Sequence, residues 1–162
     1  MVYTLVESNQ LPNIDPTMER LGNYLKDGLN QEILKVSSGA EIIAVAHVIS
    51  YNHLPTDLSS FPLLKVYRQN DTFSGGQNTT QASINYCLSF PDEAKIPGIL
   101  RWVAITIDKL LREWGLNRRG CYPSIDPDAT WKAEYRTMVL NGEPMYSLLM
   151  INFEFTEGSS HG

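Results

Sequence analysis

The chain has 162 residues, 43% hydrophobic and 19% charged, with a formal net charge of -5. One domain is the default at this length, and the apolar fraction suffices for a core, which argues against a disordered chain. No run of Lys or Arg exceeds two residues, so the basic stripe of a dedicated nucleic-acid grip is missing.

The opening MVYTLVESNQLPNIDP has neither a basic segment nor a long apolar one, so no secretory signal is expected. NIDPTMERLGNYLKDGL then carries a helix start: Asp15 as N-cap, Pro16 in the first helical position, Glu19 in the first turn. Met18, Leu21, Leu25 and Leu29 recur at helical spacing on one face. Gly22 lies beside that stripe, where it would admit another backbone, and Gly28 is expected to end the helix. The apolar run from Ile42 to Ile49 predicts a strand buried on both faces, or one strand that is long and central. NHLPTDLSS reads as a loop, and FPLLKVYRQ as a strand that Pro62 opens, with Leu64, Val66 and Arg68 alternating against Leu63, Lys65 and Tyr67.

NDTFSGGQNTTQ, with Gly75 and Gly76 in a polar run, reads as the clearest loop in the chain. ASINYCLSF alternates cleanly: Ile84, Tyr86, Leu88 and Phe90 face a core, while Ser83, Asn85, Cys87 and Ser89 face solvent or a partner. PDEAKIPGILRWVAITIDKLLREWG predicts the best helix, with Pro97 in the first turn and Gly115 at the stop. At about 100° per residue, Ile99, Leu100, Val103, Ile107, Leu110, Leu111 and Trp114 share one arc. Arg101, Asp108 and Arg112 fall opposite, the last two at pairing distance; Ile105 falls among them and Trp102 at the arc's edge. An exposed Ile105 is ordinary on its own; beside Trp102 it also reads as contact surface for a neighbouring subunit. The longest apolar run, inside ILRWVAITI, is interrupted by Arg101 and is too short to span a bilayer. LNRRGCYPSIDPDATW is an irregular connection, and Asn141-Gly142 between two apolar runs signals a terminal hairpin. TEGSSHG at the end, from about residue 157, reads as a small polar tail of one 1–162 domain.

Chemistry is sparse. His47, His53 and His161 have no Cys, Asp or Glu at ligand spacing, so no metal is expected. SGGQNTT lacks the Lys-Ser/Thr pair of a phosphate cradle, and no cofactor is expected. Asp126 and Asp128 read as turn residues, the Asn70 and Asn78 sequons as loop composition, and Cys87 and Cys121 as free thiols. No nucleophile, base and orienter converge, so an enzyme is not expected.

LSSFPLLKVYR, then QASINYCLSFP followed by IPGILRWVAITIDKLLREW, and finally MYSLLMINFEF carry a resemblance. In this order of elements the chain resembles the tail-terminator (tail-completion) proteins of long-tailed bacteriophages, over roughly Asp15 to Phe155. Two stretches, EILKVSSGAEIIAVAHVISYNHLPTDLSS and GLNRRGCYPSIDPDATWKAEYR, are longer than in compact members of that family. The resemblance implies an α+β domain: a single mixed or antiparallel β-sheet, two main α-helices packed on one face, and a terminal β-hairpin. It implies a virion protein, assembled in the host cytoplasm, that forms a homohexameric ring. The ring would cap the tail tube, end tube or sheath polymerisation and meet the head connector. DNA would pass through the lumen without specific binding, and no membrane is involved. Head-to-tail interfaces favour aromatic residues and Arg, which gives Trp102, Ile105, Trp131, Tyr135, Arg118 and Arg119 as subunit-contact candidates. Phe73, Gly75 and Gly76 are the candidates for contact with tube or connector. Another neck or head-completion protein shares this outline, and a cytoplasmic α+β binding or adaptor module is the alternative from a different class.

Overall fold

The computed structural model describes residues 15–36, 44–55, 61–89 and 92–158. Helix α1 (Pro16–Val36) is followed by strands β1 (His47–Ile49), β2 (Leu63–Ser74) and β3 (Gln77–Leu88). A short 3-10 turn, Glu93–Lys95, leads into α2 (Ile96–Asn117), and β4 (Ala133–Leu140) and β5 (Glu143–Gly158) close the chain. The strands form one five-stranded sheet in the order β1-β2-β3-β5-β4, with β1 parallel to β2 and every other pair antiparallel. This is an α+β fold with a mixed sheet, two helices and a terminal hairpin, as expected.

Both helices bury their apolar arcs against the same sheet face. Met18, Leu21, Leu25 and Leu29 of α1 and Val103, Ile107, Leu111 and Trp114 of α2 join Val66, Ile84, Tyr86, Leu149, Ile151 and Phe155 in one cluster. Asp15 caps α1, its Oδ1 accepting from Met18 N at 3.3 Å. Gly22 sits where a Cβ would lie 2.6 Å from Val48 Cγ1, so its missing side chain lets β1 approach α1. Gly28 does not end the helix. It is a contact point: a Cβ there would lie 2.6 Å from Leu110 Cδ2 on α2. Gly115 likewise lies inside α2, against the Ile125 carbonyl oxygen, and the helix runs on to Asn117.

Five further expectations change. The apolar run before Ile49 gives only a three-residue strand, parallel and at the sheet edge rather than central. Its reason is visible at Val45, whose N–H and C=O are both taken by the Asn30 side chain of α1, at 2.8 and 3.0 Å. Ile42 and Ile43 lie outside the described residues. NDTFSGGQNTTQ is not a loop but the far half of a long hairpin, β2 pairing β3 up to Ser74↔Gln77. Only Gly75 and Gly76 turn, at φ 56° and 86°, the positive pair that a tight two-residue hairpin requires. Asn141 and Gly142, at φ 54° and 81°, repeat the device between β4 and β5. The sequon residues Asn70 and Asn78 are therefore strand residues, and Asn78 is buried.

The far sheet face is the fourth. Ser83, Asn85 and Cys87 are buried, neither solvated nor free for a partner. Cys87 joins Leu63, Tyr146 and Leu148 in a second cluster, with Phe61, Met138 and Met150 packed on it. Asn85 donates to the Tyr67 hydroxyl at 3.2 Å, and Lys65 Nζ donates to the His53 carbonyl at 2.9 Å, tying the segment before β2 across this face. Phe90 and His161 lie outside the described residues; Glu157 and Gly158, assigned to a tail by the sequence, are the last residues of β5.

Candidate assembly surface

The connection from α2 to β4 is held by a clamp that the sequence did not disclose. Trp131 Nε1–H donates to Asp108 Oδ1 at 2.8 Å, and Arg112 Nε donates to the same oxygen at 3.1 Å. The Arg112 guanidinium lies 4.3 Å from the Trp131 ring centre and also donates to the carbonyls of Pro127 and Ala129, at 2.7 and 2.9 Å. Asp126 Oδ1 accepts from Asp128 N at 2.9 Å, the turn chemistry expected of that pair. Trp131 is thus an internal fastener. Its position still matters for the surface, because it lays the start of β4 along α2.

The same applies to two other candidates. Trp102 is half-buried against the main core. Arg118 stacks 3.7 Å from the Trp114 ring centre and 5.3 Å from Tyr24, so its planar cation covers the end of the core. Trp114 itself donates Nε1–H to the Pro123 carbonyl at 2.9 Å. These aromatic and Arg residues satisfy one another within the chain, a pairing that composition and spacing do not reveal. Arg119 is exposed beside Arg118.

Of the apolar candidates, Ile105 and Tyr135 face outward near one sheet edge and Phe73 at one hairpin tip; Leu34, Val36, Tyr51, Leu54, Leu116 and Tyr122 are also exposed, elsewhere on the surface. Strand β4 is an outermost strand, eight residues long, and its outer backbone edge has no sheet neighbour among the described residues. Tyr135 and Val139 are exposed on it, 49% and 58%. Arg101 and Tyr135 share one groove of about 450 Å³, floored by Ile96, Pro97 and Leu100. Ile105, 56% exposed, lies one turn along α2 from Arg101 and one turn before Asp108, which Trp131 grips. Ile105 and Tyr135 therefore belong to one helix-and-edge surface. Phe73, 70% exposed, stands apart beside Gly75 and Gly76 at the hairpin tip.

No family model matches the chain, and no curated protein matches it.

A polar cluster that the sequence reading missed stands beside Phe73. Arg68 Nε donates to Asp15 Oδ2 at 2.6 Å; its Nη1 donates to Asp71 at 3.0 Å, to Thr80 at 3.0 Å and to Glu157. Asn78 Nδ2 donates to Asp71, Thr80 and Glu157. Three carboxylates thus meet one guanidinium. Burial opposes the Asp71 charge, but hydrogen bonds from Thr80, Asn78 and Arg68 outweigh it and hold that carboxyl below its ordinary range. Burial likewise opposes the Arg68 charge, and Asp15 and Glu157 override it, raising its pKa. The one sequence signal was Arg68 on the core-facing side of an apolar strand, which demands partners.

Among the described residues, no group of three His, Cys, Asp or Glu is placed to hold a metal ion. No helix among them is long and apolar enough to cross a membrane.

Proposed function

We propose that this chain is a ring-forming structural protein of the virion, a tail terminator that caps the tail tube and joins it to the head connector. The observation that carries the reading is the β4 edge, which has no sheet neighbour among the described residues, with its exposed Tyr135 and Val139 and the exposed Ile105 of α2. Glu134, Arg136 and the bulge at Met138–Val139 blunt this edge against open-ended backbone pairing, so its exposed side chains are the contact surface. The α+β architecture agrees with what the family resemblance implies. Ring closure needs a head-to-tail joint, and the exposed Phe73 at the β2–β3 hairpin tip stands apart from this helix-and-edge surface, which gives the two different patches that such a joint uses. The test is tube length. Added to tail-tube subunits during polymerisation, the chain should shorten the tubes in proportion to its concentration and decorate one end. Tubes whose length ignores it would refute termination while leaving ring formation standing.

A second reading rests on the groove beside that same edge: an adaptor that adds a partner's extended segment to β4. An adaptor has the mass of one or two chains in solution, and a terminator has the mass of a closed ring.

A further inference from the structure

The joint between copies can be specified, taking the ring reading as its basis. The hairpin tip and the α2–β4 groove lie at opposite ends of one rigid sheet. Phe73 pairs with Asn78 and Ser147 with Leu88, so along β3 the two sites are separated by the run from Asn78 to Leu88. At about 3.3 Å per residue that is about 33 Å, too far for the tip to reach the groove of its own chain.

Their surfaces are complementary. The tip offers an exposed aromatic ring on a fixed two-residue turn, and Asp15, Asp71 and Glu157 stand beside it around the cation of Arg68. The groove offers an apolar floor of Ile96, Pro97 and Leu100 with Tyr135 and Arg101 on its wall, while Arg136 beside them is paired with Glu134 at 2.9 Å. The acidic neighbourhood of an aromatic knob thus matches the Arg101 cation at the rim of an apolar hole. A knob and hole on different parts of one molecule join copies either reciprocally, as a two-fold dimer, or head to tail, and only the second closes into rings when the rotation permits, so a wild-type mass that stops at two chains overturns the ring.

We propose that Phe73 of one copy seats in the Ile96–Pro97–Leu100 groove of the next, with Arg101 facing the carboxylates beside Phe73. The joint brings an aromatic side chain and Arg into its centre, the residue types that dominate such contacts. A peptide of another protein in the groove, or a two-fold pairing of β4 with β4, would use the same surface differently, and both are separated from this proposal by stoichiometry.

The experiment uses two single variants, Phe73→Glu and Tyr135→Glu, each at an exposed side chain, with circular dichroism to check the fold. Masses are followed by light scattering over a concentration series. Wild type should assemble, and each variant alone should lose assembly. A mixture should stop at two chains, because Phe73→Glu keeps a sound groove and Tyr135→Glu keeps a sound tip. Variants that assemble like wild type overturn the joint but leave the ring. So does a mixture that stays monomeric, or single variants that each form dimers. A wild-type chain that never associates overturns the ring reading and the joint with it.

Discussion

The α1–α2 crossing supplies a quantitative test of the packing. A Cβ on Gly28 would lie 2.6 and 2.8 Å from the two methyl carbons of Leu110, and Leu110 is buried. Two effects oppose each other in Gly28→Ala. Helix propensity favours Ala by about 1 kcal/mol. Overpacking a well-filled contact costs about 1–3 kcal/mol. Because both methyls are met at once, Leu110 must leave its present rotamer to admit the added methyl, and the net should be a loss of about 1 kcal/mol. Leu110→Ala alone should cost about 2–5 kcal/mol through the cavity it leaves. In the double variant the methyl added at position 28 points into that cavity. The pair should therefore cost less than the sum of the singles, by about 1 kcal/mol or more. Urea unfolding of the four proteins measures this, and at this chain length 1 kcal/mol corresponds to about 2–4 °C in Tm. Additive single effects, or a Gly28→Ala variant stabilised by its full helix propensity, would refute the close contact.

Arg68→Met should destabilise the fold by about 1–3 kcal/mol at pH 7, since it leaves three carboxylates facing one another. Its pH dependence has a definite sign. In wild type the lowered Asp71 pKa adds stability above the ordinary carboxylate range, lost as pH falls through the folded value; Arg68→Met removes one of the groups that lower it, so urea unfolding across pH should show the variant losing less stability than wild type on acidification. Tyr86→Phe should be neutral or stabilise by about 1 kcal/mol, because the buried Tyr86 hydroxyl has no hydrogen-bond partner among the described residues; thermal unfolding reports it. Burial pushes the Cys87 thiol up to about 12, so at pH 8 iodoacetamide should modify exposed Cys121 rapidly and Cys87 only on unfolding, read by mass spectrometry.

Periodicity made the helices legible, and the arcs of Met18–Leu29 and Ile99–Trp114 are the arcs that pack. The Asn141-Gly142 hairpin was equally plain. The polar arm of β2 and β3 was not, because Asn, Asp and Gly are depleted in strands and mask its threonines; there Asp71, Asn78 and Thr80 bond to one another across the strands. Buried Ser83, Asn85 and Cys87 looked solvated because alternation tells which residues share a face and not whether something covers it. Nor does spacing show where an exposed-looking cation finds a partner far along the chain: Arg112 on Trp131 and Arg118 on Tyr24 are contacts between residues of separate segments. Ile105 was legible as outward-facing because it broke the helix arc, whereas Tyr135 was chosen for its residue type, and its exposure comes from β4 standing at the sheet edge.

Ring formation is the claim on which the rest depends, and the mass of the purified chain in solution tests it most directly. Each chain is 18.3 kDa. Light scattering with negative-stain images of the same sample should give the mass of a closed ring, six copies on the family resemblance, and particles with six-fold symmetry. One-chain mass at every concentration into the millimolar range, with no rings in the images, would contradict it.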